Sequence, residues 1–378
     1  FLEHAEEQHL ESPGPADEIA RSMAGEAQVT ERPGTRPTAA RHRFDEARLA
    51  AWLELNLPGF AGPLAVRQFA SGQSNPTFHL RSPGGEHVLR KKPPGVLVES
   101  AHAIDREYRV LSALASGDVP APRTRVYCDD AEVIGTPFYV MDYQPGRIFT
   151  DPLLPGMTPT ERAGIYDAMN DALARLHNFD WEGNGLGDFG KPAQYVARQI
   201  ARWRRQYLAA SAEPVPPMDQ LGDWLAAHVP DRESVAITHG DFRIGNLIFD
   251  EREPRVVAIL DWELSTIGEP LCDLSFNCMT YHLPAGDPVA AGFAGVDIAA
   301  LGIPSEADYL AAYARRTGRA EVPDWRLYMA FSLYRTAAIQ HGVYRRALAG
   351  NASSETALLF GDCYRKVAES GWALASGG

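Results

Sequence analysis

Several things are missing from this chain, and each absence narrows what it can be. No uncharged apolar run approaches the ~18 residues of a membrane-spanning helix, so no such span is expected. Cysteine is scarce: Cys128, Cys272, Cys278 and Cys363 form no CxxC pair and no regular framework. They are expected to be reduced core thiols, with neither a disulfide scaffold nor a thiolate metal site. Positive charge is in deficit, with 36 Lys and Arg against 49 Asp and Glu and a net charge of −13. That balance argues against nucleic acid or an anionic membrane as the main partner, although local basic patches can still hold phosphates. The start, FLEHAEEQHLESPGPADE, lacks a basic segment followed by an apolar core. No secretory signal is therefore read and a cytoplasmic location is expected; because residue 1 is Phe, the start is open to processing or trimming. The Gly-rich WEGNGLGDFGKP lacks the strand-then-helix setting of a dinucleotide fingerprint, so it is given no cofactor role.

What is present is a length of 378 residues with 45% hydrophobic and 22% charged residues, enough for two lobes and a large core. The chain is organised around Ile237 to Glu263, ITHGDFRIGNLIFDEREPRVVAILDWE. It places His239, Asp241 and Asn246 on a tight connection, then a short hairpin, then Asp261 after an apolar run. A hydroxyl attacking phosphorus needs a carboxylate to orient it and accept its proton, and Asp241 is the candidate. The amide oxygen of Asn246 and the carboxylate of Asp261 are the hard oxygen ligands that a nucleotide's magnesium takes, with waters completing the octahedron. The spacing from Asp241 to Asn246 is that of the catalytic Asp and metal-binding Asn of protein kinases. Arg243 is a candidate to reach the transferring phosphoryl group and offset its charge. His239 is read as fixing the loop by hydrogen bonding rather than as the base.

The pattern HGDxxxxN followed by ILDWE resembles the aminoglycoside phosphotransferase family of small-molecule kinases. VLRKKPPG, EYRVLSAL, GTPFYVMDY and DWELSTIGEPLCDLSFN are most similar to the kinase-like domains found alone in bacteria or fused to acyl-CoA dehydrogenases, and the similarity runs from about Arg43 to the C-terminus in the family's order. The resemblance implies an α+β, bilobal, protein-kinase-like fold, with a small lobe of antiparallel sheet and helix and a larger, mainly helical lobe. Expected boundaries are a mobile tail over residues 1–40, a nucleotide-covering lobe over 41–143, and a lobe carrying the catalytic loop, metal site and helical substrate region over 144–378. ATP and Mg2+ are the implied cofactors and a hydroxylated small molecule the implied partner.

Within the first lobe a helix is expected from Asp45, ended by Pro58-Gly59. LAVRQFASGQSNPTFHL reads as strand, turn, strand. Ser71, Gly72, Ser74 and Asn75 make its turn either a phosphate-covering loop or a plain hairpin connection. In EHVLRKK side chains alternate, so only one of Arg90 and Lys91 can face the cleft. The family often writes this strand Val-Leu-Arg, which selects Arg90 as the inward cation, paired with Glu107 of the next helix, with Val88 against adenine and Lys91 facing solvent. By the same resemblance the carbonyl of Asp142 and the N–H of Gln144 face the base, with Met141 behind it.

The rest reads as helical. Ile165, Met169, Leu173 and Leu176 form a core stripe, His177 is a satisfied core or capping histidine, and helices are expected near 305–318, 324–349 and 353–375. The basic run ARQIARWRRQY is either a solvated face or a grip on an acidic part of a substrate. Trp325, Tyr328, Phe331, Tyr334 and Tyr344 form either a core stripe or a pocket lining. Asp273 is expected to brace the catalytic loop. Only eight residues separate Asp261 from Pro270, which leaves no activation loop and counts against a protein kinase. A nucleotide-binding module without catalysis is disfavoured because Asp241, Asn246 and Asp261 are all present. The resemblance to domains fused to acyl-CoA dehydrogenases implies a hydroxylated acyl or related metabolite as acceptor, with an antibiotic (aminoglycoside or macrolide) as the alternative; oligomeric state is undecided.

Overall fold

The structure is a computed structural model that describes residues 34–70, 75–93, 103–211, 213–287, 290–350 and 355–377. Most of the expected tail and the loop residues Ser71, Gly72 and Ser74 lie outside the described residues.

The small lobe is a six-stranded antiparallel sheet of β1 (Thr35–Arg36), β2 (Ala65–Phe69), β3 (Thr77–Ser82), β4 (Gly85–Lys91), β5 (Thr124–Cys128) and β6 (Phe138–Asp142). Their order is β1-β2-β3-β4-β6-β5. Register decides which residues share a face. Leu89 lies opposite Phe78 and Val140, while Val88 lies opposite Met141 and Arg90 opposite Tyr139. The outer face, with Phe78, Leu89 and Val140, is covered by α1 (Glu46–Asn56), whose Leu49 and Leu53 are one turn apart and fully buried. Each such buried leucine contributes roughly 1.5–3 kcal/mol. Helix α1 begins at Asp45, whose carboxylate accepts the Arg48 N–H at 2.9 Å and so satisfies one of the first turn's unpaired donors. The inner face carries α2 (Ile104–Leu114), which turns Ile104, Glu107, Val110, Leu111 and Leu114 inward. A four-residue helix, α3 (Ala131–Ile134), joins β5 to β6.

The larger lobe starts with α4 (Pro159–Asn178), opened by a reciprocal cap between Thr158 and Glu161. Its Ile165, Met169, Leu173 and Leu176 are buried as the periodicity requires. There follow α5 (Tyr195–Ala210), α6 (Pro216–Ala227), α7 (Leu271–Cys278), α8 (Ile298–Leu301), α9 (Glu306–Arg316), α10 (Trp325–Leu348) and α11 (Phe360–Ser376). Tyr328, Phe331 and Tyr334 of α10 are buried among the large-lobe core residues, so most of that aromatic stripe is core. All four cysteines are free and buried.

Two small antiparallel pairs stand where the lobes meet: β7 (Ala236–Thr238) with β10 (Thr266–Gly268), and β8 (Leu247–Phe249) with β9 (Val256–Ile259). The segment after β6 is pinned to them, because Arg147 and Phe249 exchange main-chain hydrogen bonds at 2.8 and 2.9 Å. Gly146 permits this approach: a Cβ there would stand 2.2 Å from the Phe249 carbonyl oxygen.

Candidate active site

The loop from His239 to Asn246 leaves β7 and enters β8. Its mouth is closed by the Leu260 N–H donating to the Asn246 carbonyl at 2.8 Å, which sets Asn246 beside the residue preceding Asp261. The loop is held mainly by its own polar atoms. His239 is buried, its Nε2 is 2.8 Å from the Leu260 carbonyl, and its Nδ1 accepts the Asp241 N–H at 3.2 Å. A carbonyl can only accept and an amide N–H can only donate, so the ring is neutral with its proton on Nε2. That leaves His239 no spare nitrogen for proton transfer.

Asp273, at the start of α7, accepts the His239 N–H at 2.5 Å and the Gly240 N–H at 2.8 Å. Burial alone would raise its pKa, but His177, then His239 and the Gly240 N–H, outweigh burial and hold it below the usual carboxylate range. His177 lies 3.4 Å from Asp273 and 2.7 Å from the Tyr313 hydroxyl, a satisfied core histidine. Burial lowers the pKa of His177 even against the pull of Asp273.

The Asn246 amide nitrogen donates to the Asp241 carbonyl at 2.9 Å and to Asp241 Oδ2 at 2.7 Å. Arg243, largely exposed, brings its Nε to 3.4 Å from the same Oδ2. Asp241 Oδ1 and the Asn246 amide oxygen have no hydrogen bond among the described residues. Asp261 adopts φ 69°, ψ 61°, a left-handed conformation uncommon for any residue but glycine. The next residue, Trp262, is anchored by its indole N–H on the Ile259 carbonyl and by its ring against His239.

Across the cleft, Arg90 on β4 faces inward. Its Nη2 donates to Asp261 Oδ1 at 2.9 Å, and its Nε stands 2.8 Å from Glu107 Oε2. The Nε contact is too poorly aligned to count as a hydrogen bond, so it is a coulombic contact more than a directed one. Glu107 also accepts from the Asn75 side chain at 2.6 Å and from the Tyr139 hydroxyl at 3.0 Å. Burial opposes charge on Arg90, but Glu107, Tyr139 and Asp261 outweigh it and the guanidinium's pKa is raised. Burial pushes the Glu107 carboxyl up, against the pull of Arg90.

One expectation needs correcting. Lys91 does not face solvent: it is buried on the outer face, with its ammonium 5.3 Å from the Phe44 ring centroid and 5.9 Å from that of Phe78. Alternation turned it away from the cleft, but that face is covered, so its charge rests on aromatic rings. Met141 is buried opposite Val88. Asp142 gives its carboxylate to Arg125 at 2.5 and 2.8 Å and its N–H to the Arg123 carbonyl. Gln144 is half-buried in the segment between β6 and Arg147.

Residues 65–331 match the profile of the phosphotransferase enzyme family. The chain belongs to that family. A solved Ralstonia eutropha protein, described as a candidate aminoglycoside phosphotransferase, is 48% identical with a TM-score of 0.82, covering 89% of this chain and 99% of its own. Mouse acyl-CoA dehydrogenase family member 10 is 44% identical over 91% of this chain, and chicken member 11 is 44% identical over 91%. This chain spans 32% and 45% of those two proteins, so it corresponds to one part of each. The two-lobed phosphotransferase fold is that of a kinase.

Three residues at the site escaped the sequence reading. Tyr139 shares the face of Met141 by strand alternation and could have been found from that pattern. Asn75 was placed in the turn between β2 and β3, but its bond to Glu107 was not foreseen. Arg335 of α10 donates to the Gly240 carbonyl at 2.5 Å, and nothing in its local sequence marks it.

Proposed function

We propose that this phosphotransferase moves the γ-phosphoryl group of ATP to a hydroxyl of a small metabolite, with Asp241 as the base and Mg2+ as the required ion. The observation that carries the reading is Asp241, with Oδ2 engaged by Asn246 and Oδ1 open, in the same structure as an inward Arg90 that joins Glu107 to Asp261. The acceptor's O–H donates to Asp241 Oδ1, the proton passes to the carboxylate as the oxygen bonds to phosphorus, and the bond to the β-phosphate oxygen breaks. Arg243 is the cation assigned to offset charge on the group in transit, a reading supported by its Nε standing 3.4 Å from Asp241 Oδ2.

Among the described residues no cluster of three or more His, Cys, Asp or Glu can hold a metal ion alone. Magnesium takes one or two protein oxygens and draws its other ligands from phosphates and water. The amide oxygen of Asn246 and the carboxylate of Asp261 are the oxygens that would hold it, and when bound it neutralises phosphate charge. In this reading Val88 and Met141 line the base and the Asp142 carbonyl and Gln144 N–H read its edge; the phosphate-covering assignment of Ser71, Gly72 and Ser74 falls outside the described residues.

The acceptor is proposed as a hydroxylated acyl compound or a close relative, supported by the 44% identity to parts of acyl-CoA dehydrogenase family members. No described helix is long and apolar enough to cross a membrane. A screen of hydroxylated acyl compounds, sugars and antibiotics for acceptor-dependent ADP release tests the assignment. Release stimulated by one chemical class supports it; failure to bind a non-hydrolysable ATP analogue, with no release for any acceptor, removes it.

A further inference from the structure

Gly240 has φ +86°, a region where glycine turns freely, and it precedes the residue assigned as the base. The direction of Asp241 is then set from two sides, by the Asn246 bonds to its carbonyl and carboxylate and by what pins the peptide joining it to Gly240. That peptide is held at both ends. Its N–H, from Asp241, donates to His239 Nδ1 at 3.2 Å, and its carbonyl, from Gly240, accepts from Arg335 Nη2 at 2.5 Å. The first bond is long and neutral; the second is short and carries a full charge, which makes it roughly twice as strong as a neutral one.

Arg335 is itself built for a fixed reach. It leaves the middle of α10 half-buried, with its guanidinium carbon 5.1 Å from the Phe276 ring centroid and 5.7 Å from that of Trp203. Among the described residues no carboxylate lies within ion-pair distance of it, so a main-chain carbonyl is its polar partner. A long cation threaded between two aromatic rings to meet one carbonyl is costly as surface decoration, since its side-chain freedom is lost.

We propose that Arg335 is a positioning residue for phosphoryl transfer, acting through the Gly240 carbonyl to aim the Asp241 carboxylate. The proposal rests on the kinase reading above. A base displaced by an ångström loses about a hundredfold in rate without any loss of nucleotide affinity.

The test follows the hydrolysis of γ-labelled ATP, water serving as acceptor, in wild type, Arg335→Ala, Arg335→Lys, Asp241→Asn and the Asp241→Asn/Arg335→Ala double variant. Titration with AMP-PNP and magnesium and a thermal melt accompany each. Arg335→Ala is expected to lower turnover about ten- to a hundredfold while the KM for ATP stays within about twofold. Arg335→Lys keeps a charge near the carbonyl and is expected to recover part of the loss. Because Arg335 acts through Asp241, the second substitution is expected to add little once Asp241 is Asn. An undiminished Arg335→Ala effect in the Asp241→Asn background, or wild-type turnover in folded Arg335→Ala, overturns the positioning role alone. Wild-type protein that neither binds AMP-PNP nor releases phosphate overturns the kinase reading, a separate result.

Discussion

Arg90 Nη2 stands 2.9 Å from Asp261 Oδ1, so a strand of the small lobe is bonded directly to the carboxylate that follows the β8–β9 hairpin. The same guanidinium lies against Glu107 of α2. One residue thus joins three elements, and nucleotide phosphates entering between the lobes would meet a cation already oriented by two carboxylates. A planar guanidinium can serve several oxygens at once, which an ammonium cannot do with the same geometry. Arg90→Lys is therefore expected to raise the KM for ATP roughly ten- to a hundredfold, the equivalent of a lost charge-assisted hydrogen bond. Arg90→Ala and Glu107→Ala should be non-additive, as coupled partners are. Steady-state kinetics at varied ATP, with the double variant included, checks both; strict additivity would separate Arg90 from Glu107 in function.

Lys91 is the internal control for that strand. It is buried above Phe44 and Phe78, and burial lowers its pKa. Replacing it by a similar apolar chain removes a desolvated charge and keeps most of the packing. Lys91→Met is expected to leave the KM for ATP within about twofold and to melt no lower than wild type. A large rise in KM would place the phosphate cation on the wrong residue.

For Asp241→Asn, the expected loss in turnover is on the order of 10²–10⁴-fold, the usual worth of a positioned general base. Binding of AMP-PNP should be little changed, since the Asn246 and Asp261 oxygens remain. Asp261→Ala is expected to do the reverse, weakening the magnesium dependence of nucleotide binding measured by calorimetry. Identical magnesium dependence in that variant and wild type would move the ion's site elsewhere.

How far these features were legible depended on how local they are. Asp241, Asn246 and Asp261 lie within 21 residues, and their spacing alone suggested the chemistry. Strand alternation allowed only one of Arg90 and Lys91 to face the cleft, and the resemblance to the family's Val-Leu-Arg strand chose Arg90. Alternation could not show what covers the other face: Phe44 and α1 arrive from about 40 residues upstream, and so Lys91 was misplaced in solvent. Arg335 meets Gly240 across 95 residues and a crossing of helices, which no sequence period records. The three-residue strands β7 and β10 were likewise invisible, because so short a run has no period to detect.

Stability should fall on mild acidification. Burial lowers the pKa of His177 and of His341, so each is neutral in the native state over a range where the unfolded chain binds a proton. More protons on the unfolded state means stability rises with pH, and it is lost as pH drops below about 6.5, the ordinary histidine value. His341 packs its ring against Tyr207 and Tyr364, and its Nδ1 has no hydrogen-bond partner among the described residues. Denaturant melts from pH 8 to 5 should show this slope, and His341→Phe should make it shallower. An unchanged slope in that variant would assign the acid sensitivity to other groups.

Gly240 makes the left-handed turn that leads into Asp241. Its φ of +86° is strained for any residue with a side chain, and an added Cβ would stand 2.8 Å from Leu264 Cβ and 3.0 Å from the Leu264 carbonyl oxygen. The left-handed conformation costs alanine about 1–2 kcal/mol, and the contact with Leu264 backbone cannot be relieved by a side-chain rotation. The loop must therefore shift or turn, and either movement redirects the Asp241 carboxylate. Arg90, Glu107 and Tyr139 lie on other elements and are not displaced by such a movement. Gly240→Ala is expected to melt lower than wild type and to lose turnover about ten- to a hundredfold, while AMP-PNP affinity stays close to wild type. Full turnover in this variant would mean that the loop tolerates a new backbone path, and that the direction of Asp241 is set by something other than the bonds on either side of Gly240.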